Sequence, residues 1–283
     1  SGFLDALVPE DAGGAGVSFA DIVPLWLVLG RHAVPCPVGE TMIARALLAQ
    51  AGMVAPDGPI AIAAQAPGAA GRVIGAALGR HLLVEWEGNL YLAAVPGEAD
   101  GGDGELAASV RWDSEAATPV GPIVPGGLRR AAAVLRAALI AGAADRLTTM
   151  TADYANERIQ FGKPIGKQQA LQQQLAVMAE DMVAARIAAH IGGAASFPPA
   201  LAAAATAKSV ASSAAARVAA IAHAVHGAIG ISEEYDLQLY TRRLQAWRLA
   251  DGSESYWNRL LGAERLAAPS GSVDFVRTAL APA

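Results

Sequence analysis

Apolar positions change their spacing twice along the chain. Up to about residue 53 they recur at helical intervals, with one Gly-rich interruption inside "VPEDAGGAGVSFADIVPLWLVLGRHAVPCP". Ser18 is placed to cap a helix over 22–29, and Pro35 and Pro37 stop it. Between 58 and 123 the pattern turns to short apolar runs bounded by Gly, Pro and Asn. "PIAIAAQ", "HLLVEWEG" and "NLYLAAV" predict strands, Glu87-Gly88-Asn89 a hairpin turn, "SVRWDSE" a further strand, and "PGEADGGDGE" an acidic loop. From about Gly126 helical spacing returns. The stretches 127–160, 167–192 and 198–227 predict three long helices, and 237–249 and 254–266 two shorter ones. Long helices joined by short Gly/Pro loops predict an antiparallel bundle. The expected class is α+β, mainly α, divided into a helical segment (1–55), a reduced β domain (56–124) and a C-terminal bundle (125–283).

Composition narrows the function. A net charge of −5 argues against non-specific nucleic-acid binding. Cys36 stands alone, which excludes an intramolecular disulfide and a Cys-based zinc site and fits a reducing cytoplasm. The sequence shows neither a basic stretch leading into an apolar leader nor an unbroken apolar run of roughly 18 residues, so no membrane association is expected.

Four stretches in order, "VPEDAGGAG" (8–16), "ERIQFGKPIGKQQALQ" (157–172), "HAVHGAIGISEEYDLQLYTRR" (223–243) and "LADGSESYWNRLLG" (249–262), resemble the acyl-CoA dehydrogenase family over nearly the whole chain. The resemblance implies oxidation of the Cα–Cβ bond of an acyl-CoA thioester with FAD. A carboxylate removes the α-proton and the flavin takes hydride. It also implies a tetramer in which each FAD lies across a subunit interface, and electron-transfer flavoprotein as acceptor. Carried onto this sequence, Arg158 would contact the pyrophosphate of a neighbour's FAD, because a guanidinium is permanently charged and forks onto phosphate oxygens. Gln160 would add a polar contact and Phe161 would pack on the adenine side. Ile165 and Gln169 would lie by the adenosine. Gly227 and Ala228 would offer close backbone approach.

The sequence departs from that family where the chemistry is done. The family's Glu before Gly-Thr is Asp251 here, one methylene shorter, and a shift of about 1 Å can cost on the order of a hundredfold in rate. The other position used for the base, on the first long bundle helix, falls in "RRAAAVLRAAL" (129–139), which has no carboxylate. From Val54 through Ala108 there is no Ser or Thr to bond a flavin edge. The family's Gln is Ala224, and its second Gly is Ala228. The elements reaching toward a neighbour's FAD are kept, and those serving the chain's own flavin are eroded. This asymmetry resembles the shortened subunit of actinobacterial α2β2 dehydrogenases, which act on bulky, steroid side-chain CoA thioesters. A self-sufficient homomeric enzyme using Asp251, and a flavin-free scaffold, are the alternatives. His223 and His226 lack the further ligands a metal would need. Trp247 and Trp257 are expected to pack beside the Asp251 loop. Arg242, Arg243 and Arg248 could pair across an interface or meet CoA phosphates.

Overall fold

The structure is a computed structural model, and it describes residues 2–95, 107–194 and 196–280. The predicted acidic loop at 96–105 lies outside the described residues. Helix α1 (Phe19–Arg31) begins where Ser18 accepts the Asp21 N–H at 3.1 Å, a side-chain cap for an otherwise orphaned donor. Helix α2 (Val38–Gln50) follows the Pro35–Pro37 break.

The sheet region holds β1 (Ile60–Ala64), β2 (Gly71–Ile74), β3 (His81–Trp86), β4 (Asn89–Ala94), β5 (Ala107–Val110) and β6 (Thr118–Pro122). One sheet runs β1-β3-β4-β6, with β1 and β3 parallel and the other pairs antiparallel, while β2 and β5 pair separately. Glu87 and Gly88 both take positive φ at the β3–β4 turn, as a type I′ hairpin requires. Only the first two residues of "SVRWDSE" are in a strand. Trp112 leaves the ladder to bury its ring and donates its indole N–H to the Gln65 carbonyl at 3.2 Å. Strands β2 and β6 were not expected, since their Gly and Pro content hides the alternation.

Helix α3 (Gly127–Glu157) is followed by a small hairpin of β7 (Ile159–Gln160) and β8 (Lys163–Pro164), then α4 (Gln169–Gly193), α5 (Leu201–His226), α6 (Leu237–Leu249), α7 (Glu254–Ala267) and α8 (Ser272–Leu280). The first long helix therefore stops before Ile159, whose strand pairing with Pro164 wins over helix propensity. Helix α8 was also not expected.

One apolar core joins α1, α2, strands β1 and β3, and the bundle; Trp26, Met42, Ile60, Leu83, Leu135 and Leu244 are all buried in it. Helix α5 with the following turn (Leu201–Ile231) is long and apolar enough to cross a membrane by length and composition. It is Ala-rich and sits against α3, α4 and α7, so its apolarity serves close helix packing.

Sheet and bundle are tied together at the start of α3. The buried Glu85 of β3 accepts the Gly126 and Leu128 N–H groups, the latter at 2.9 Å, so a carboxylate meets the positive end of a long helix. Glu85→Ala is expected to lower stability by about 2 kcal/mol, because the buried Leu128 N–H and the half-buried Gly126 N–H lose their acceptor. Urea unfolding of the two proteins checks this, and equal midpoints would dismiss the link.

Candidate functional site

The turn between α6 and α7 carries Asp251, and its backbone is unusual. Asp251 has φ 58° and Gly252 φ 107°. A Cβ at Gly252 would lie 2.5 Å from the Tyr256 ring and 2.8 Å from the Trp257 indole nitrogen, so only glycine fits. The turn is held from three sides. Trp257 donates its indole N–H to the Asp251 carbonyl at 3.2 Å. Lys208 of α5, fully buried, donates to the carbonyls of Arg248 and Gly252 at 2.7 Å each and to Ser212 Oγ at 3.0 Å. Arg136 of α3 donates from Nε to Asp251 Oδ2 at 3.0 Å.

Arg136 is 1% exposed and has a second carboxylate partner, the buried Glu40 of α2, bound through Nη1. Burial disfavours its charge, but Glu40 and then Asp251 outweigh that and raise the guanidinium above its ordinary pKa. Two turns earlier on the same face of α3, Arg129 donates to the Ala64 carbonyl at 2.7 Å and to the Tyr256 hydroxyl at 2.9 Å. Asp251, at the position of the family's Glu and a base only in the alternative reading, is the anionic half of an ion pair with the buried Arg136.

Two cavities adjoin this cluster. One, of about 310 Å³, lies among β1, β2, α3 and the Asp251 turn, and is lined by Gln65, Ile74, Arg129, Arg136, Asp251 and Tyr256. The other, of about 280 Å³, lies between the α1–α2 connection, α3 and α6, with Cys36, Glu40, Leu139, Arg242 and Trp247 in its wall.

The residues expected to face a neighbour's cofactor gather far from Asp251, at the other end of α3. From Arg136 to Arg158 the helix covers roughly 33 Å at 1.5 Å per residue. Arg158 and Gln160 are exposed, and Phe161, with φ 52°, is 92% exposed at the hairpin tip. Beneath them Ile165 is buried against Ala155 and Val225. Gln169 is the exposed first residue of α4. Gly227 and Ala228 are exposed just past α5, and a Cβ at Gly227 would meet nothing within 4 Å. Stacking of Tyr154 on His226, with ring centroids 4.4 Å apart, joins the α3 and α5 ends, so these residues share one end of the bundle.

His226 donates from Nδ1 to the Ala222 carbonyl at 2.8 Å, and burial lowers its pKa despite that bond. Among the described residues no group of three or more His, Cys, Asp or Glu could hold a metal. Trp247 and Trp257 are buried beside the Asp251 turn. Arg248 pairs within the chain, with Nε 3.1 Å from Glu254.

Sequence reasoning missed Glu40, Arg136 and Lys208. A signal was present. Arg136 is the one charged residue in 131–144, and Lys208 the one in 198–216. A lone charge in an Ala-rich helix that is buried all round must find a partner.

This architecture, a helical pair and small sheet docked on a long antiparallel bundle, is that of acyl-CoA dehydrogenases. It aligns with the Tcur3481-Tcur3483 steroid ACAD, solved as a variant, at a TM-score of 0.78 and 25% identity, over 94% of this chain and 87% of that one. It aligns with the ChsE4-ChsE5 complex from Mycobacterium tuberculosis at 0.73 and 24%, over 95% and 86%. Residues 129–267 match the family described as "Acyl-CoA dehydrogenase, C-terminal domain". The chain is 32% identical to acyl-CoA dehydrogenase IpdE2 of Mycolicibacterium smegmatis over 84% of its own length and 76% of that protein's. The chain belongs to the acyl-CoA dehydrogenase family, oxidoreductases acting on acyl-CoA.

Burial lowers the Lys208 ammonium from its ordinary 10.5 to about 7; Asp251 and Glu254 oppose the shift, and Arg136 and Arg248 add to it. Between those values the unfolded chain holds a proton that the folded chain does not, so this group's contribution to stability improves as pH rises. The Tm of the wild-type chain, measured relative to Lys208→Met, is expected to climb from pH 7 to pH 9. A constant difference would show that Lys208 titrates normally.

Proposed function

We propose that this chain is a subunit of an FAD-dependent acyl-CoA dehydrogenase that supplies one edge of a partner chain's cofactor site and has no catalytic base of its own. The observation that carries this is the engagement of Asp251 by the buried Arg136. A general base must reach the substrate proton with a lone pair free. This carboxylate is instead turned to a permanent cation, and its turn is fixed by Lys208 and Trp257.

The outer end of the bundle suits the adenosine diphosphate half of FAD. An exposed guanidinium that makes no ion pair among the described residues stands beside an exposed ring, and the backbone at Gly227 is open to approach. Arg158 and Gln160 would hold phosphate oxygens, Phe161 would cover the adenine, and Gln169 would bond the adenosine beside Ile165. Gly227 and Ala228 would supply backbone contact. When bound, FAD accepts the hydride removed from the acyl chain. Electron-transfer flavoprotein is the acceptor that goes with this reading.

Two structural neighbours support a partner chain and a bulky substrate. One is described as a steroid ACAD and the other as a complex of two named chains. A steroid-like acyl-CoA and an α2β2 assembly with a base-bearing partner are therefore proposed. A homomeric enzyme using Asp251 is the competing reading, favoured by the presence of Asp251 in a cavity wall.

In the purified complex, Arg158→Ala is expected to weaken FAD binding about tenfold or more, as expected for loss of a charge-assisted contact. An unchanged flavin content would favour a flavin-free scaffold. Asp251→Asn is expected to leave turnover within about threefold, whereas loss of a true general base costs on the order of a hundredfold or more. A loss of that size would restore Asp251 as the base.

A further inference from the structure

We propose that Arg136 bars an acyl chain from this subunit's own cleft. With Glu40 and Asp251 it forms an ionic partition between two cavities that would otherwise be continuous. The inference deepens the reading above and rests on it.

The placement of the three groups supports this. Glu40 is in the wall of the 280 Å³ cavity. Arg136 and Asp251 are in the wall of the 310 Å³ cavity. Ile74 lines both, so the two spaces adjoin there, with Glu40 on one side and Arg136 and Asp251 on the other. The side chains of Arg136, Glu40 and Asp251 are only 1%, 4% and 14% exposed, so the partition is closed to solvent along most of its extent.

Arg136 has little freedom to swing aside. Its two carboxylate partners come from separate elements, α2 and the α6–α7 turn, and its charge cannot be discharged by proton loss. Arg129 adds a strut across the second cavity, from the Ala64 carbonyl on β1 to the Tyr256 hydroxyl on α7. A thioester whose carbonyl lay by Asp251 would have to run its acyl tail through the space the Arg136 guanidinium fills. Two cavities of this size can each hold part of a long or polycyclic acyl group.

The charge pattern also suggests how to open the partition without stranding an ion. Removing Glu40 and Arg136 together deletes one negative and one positive charge. Lys208 still braces the Asp251 turn through the Gly252 carbonyl at 2.7 Å.

The test is calorimetric titration of decanoyl-CoA into the purified chain, wild type and Glu40→Gln/Arg136→Met, with circular dichroism to confirm folding. The wild-type chain is expected to show no saturable binding. The double variant is expected to bind one decanoyl-CoA per chain, at least tenfold more tightly, with no such gain for CoA lacking an acyl group. Saturable binding of decanoyl-CoA by the wild-type chain overturns the inference, as does a folded variant that binds no better. An equal gain for CoA alone overturns it too. Should the double variant not fold, Arg136→Lys keeps the charge but lacks the fork that spans both carboxylates, and a smaller gain is expected. A folded Arg136→Lys no tighter than wild type overturns the inference. The titration reads no flavin, so it can fail while the cofactor-edge reading stands, and the reverse.

Discussion

The arrangement of this chain depends on one buried cation. Arg136 sits on the central helix of the bundle, away from water, with Glu40 on one side and Asp251 on the other. A guanidinium in such a place must be matched by carboxylates, since an unpaired buried charge costs several kcal/mol. The match fixes geometry. Helix α2 is drawn against α3, and the α6–α7 turn is drawn in toward the sheet. Lys208 then completes the cluster by binding the carbonyls that flank Asp251, one of them in the last turn of α6, where a cation meets the negative end of the helix.

Helix α3 therefore has two different ends. Near its start, Arg129 and Arg136 face inward and meet β1, α2 and α7. At its far end the chain turns outward into a hairpin on which Arg158 and Phe161 are exposed. Ile165 gives that hairpin a buried foot against Ala155 and Val225, so the exposed groups are held on a firm base.

The bundle was legible in the sequence because long Ala-rich helices, bounded by Gly and Pro, announce themselves by propensity and period. The start at Ser18 and the end at Gly227 follow from caps and breakers acting locally. Strands β2 and β6 were not legible, since Gly71, Pro119 and Gly121 mask their alternation and their pairing is set by distant partners. The residues of the candidate site were legible in type but not in role. Asp251 could be aligned with a base, but its engagement depends on Arg136, which is 115 positions away in the chain. Glu40 is further still in function, since nothing around it in sequence marks it as the partner of a residue in α3.

The proposed partition is ionic for a physical reason. Apolar side chains of similar volume would fill the same space and are often as stabilising as a buried ion pair, or more so. An apolar plug, however, needs dry surroundings on every side to gain its full burial energy. Here the space between α2, α3 and the Asp251 turn is flanked by two cavities, one of them walled by Gln65, Arg129 and Asp251. A guanidinium held by two carboxylates tolerates water on both flanks, keeps its orientation through directional bonds, and cannot be discharged. The ion triad is thus suited to a wall between two cavities, and in the proposed reading the same bonds hold Asp251 back from acting as a base.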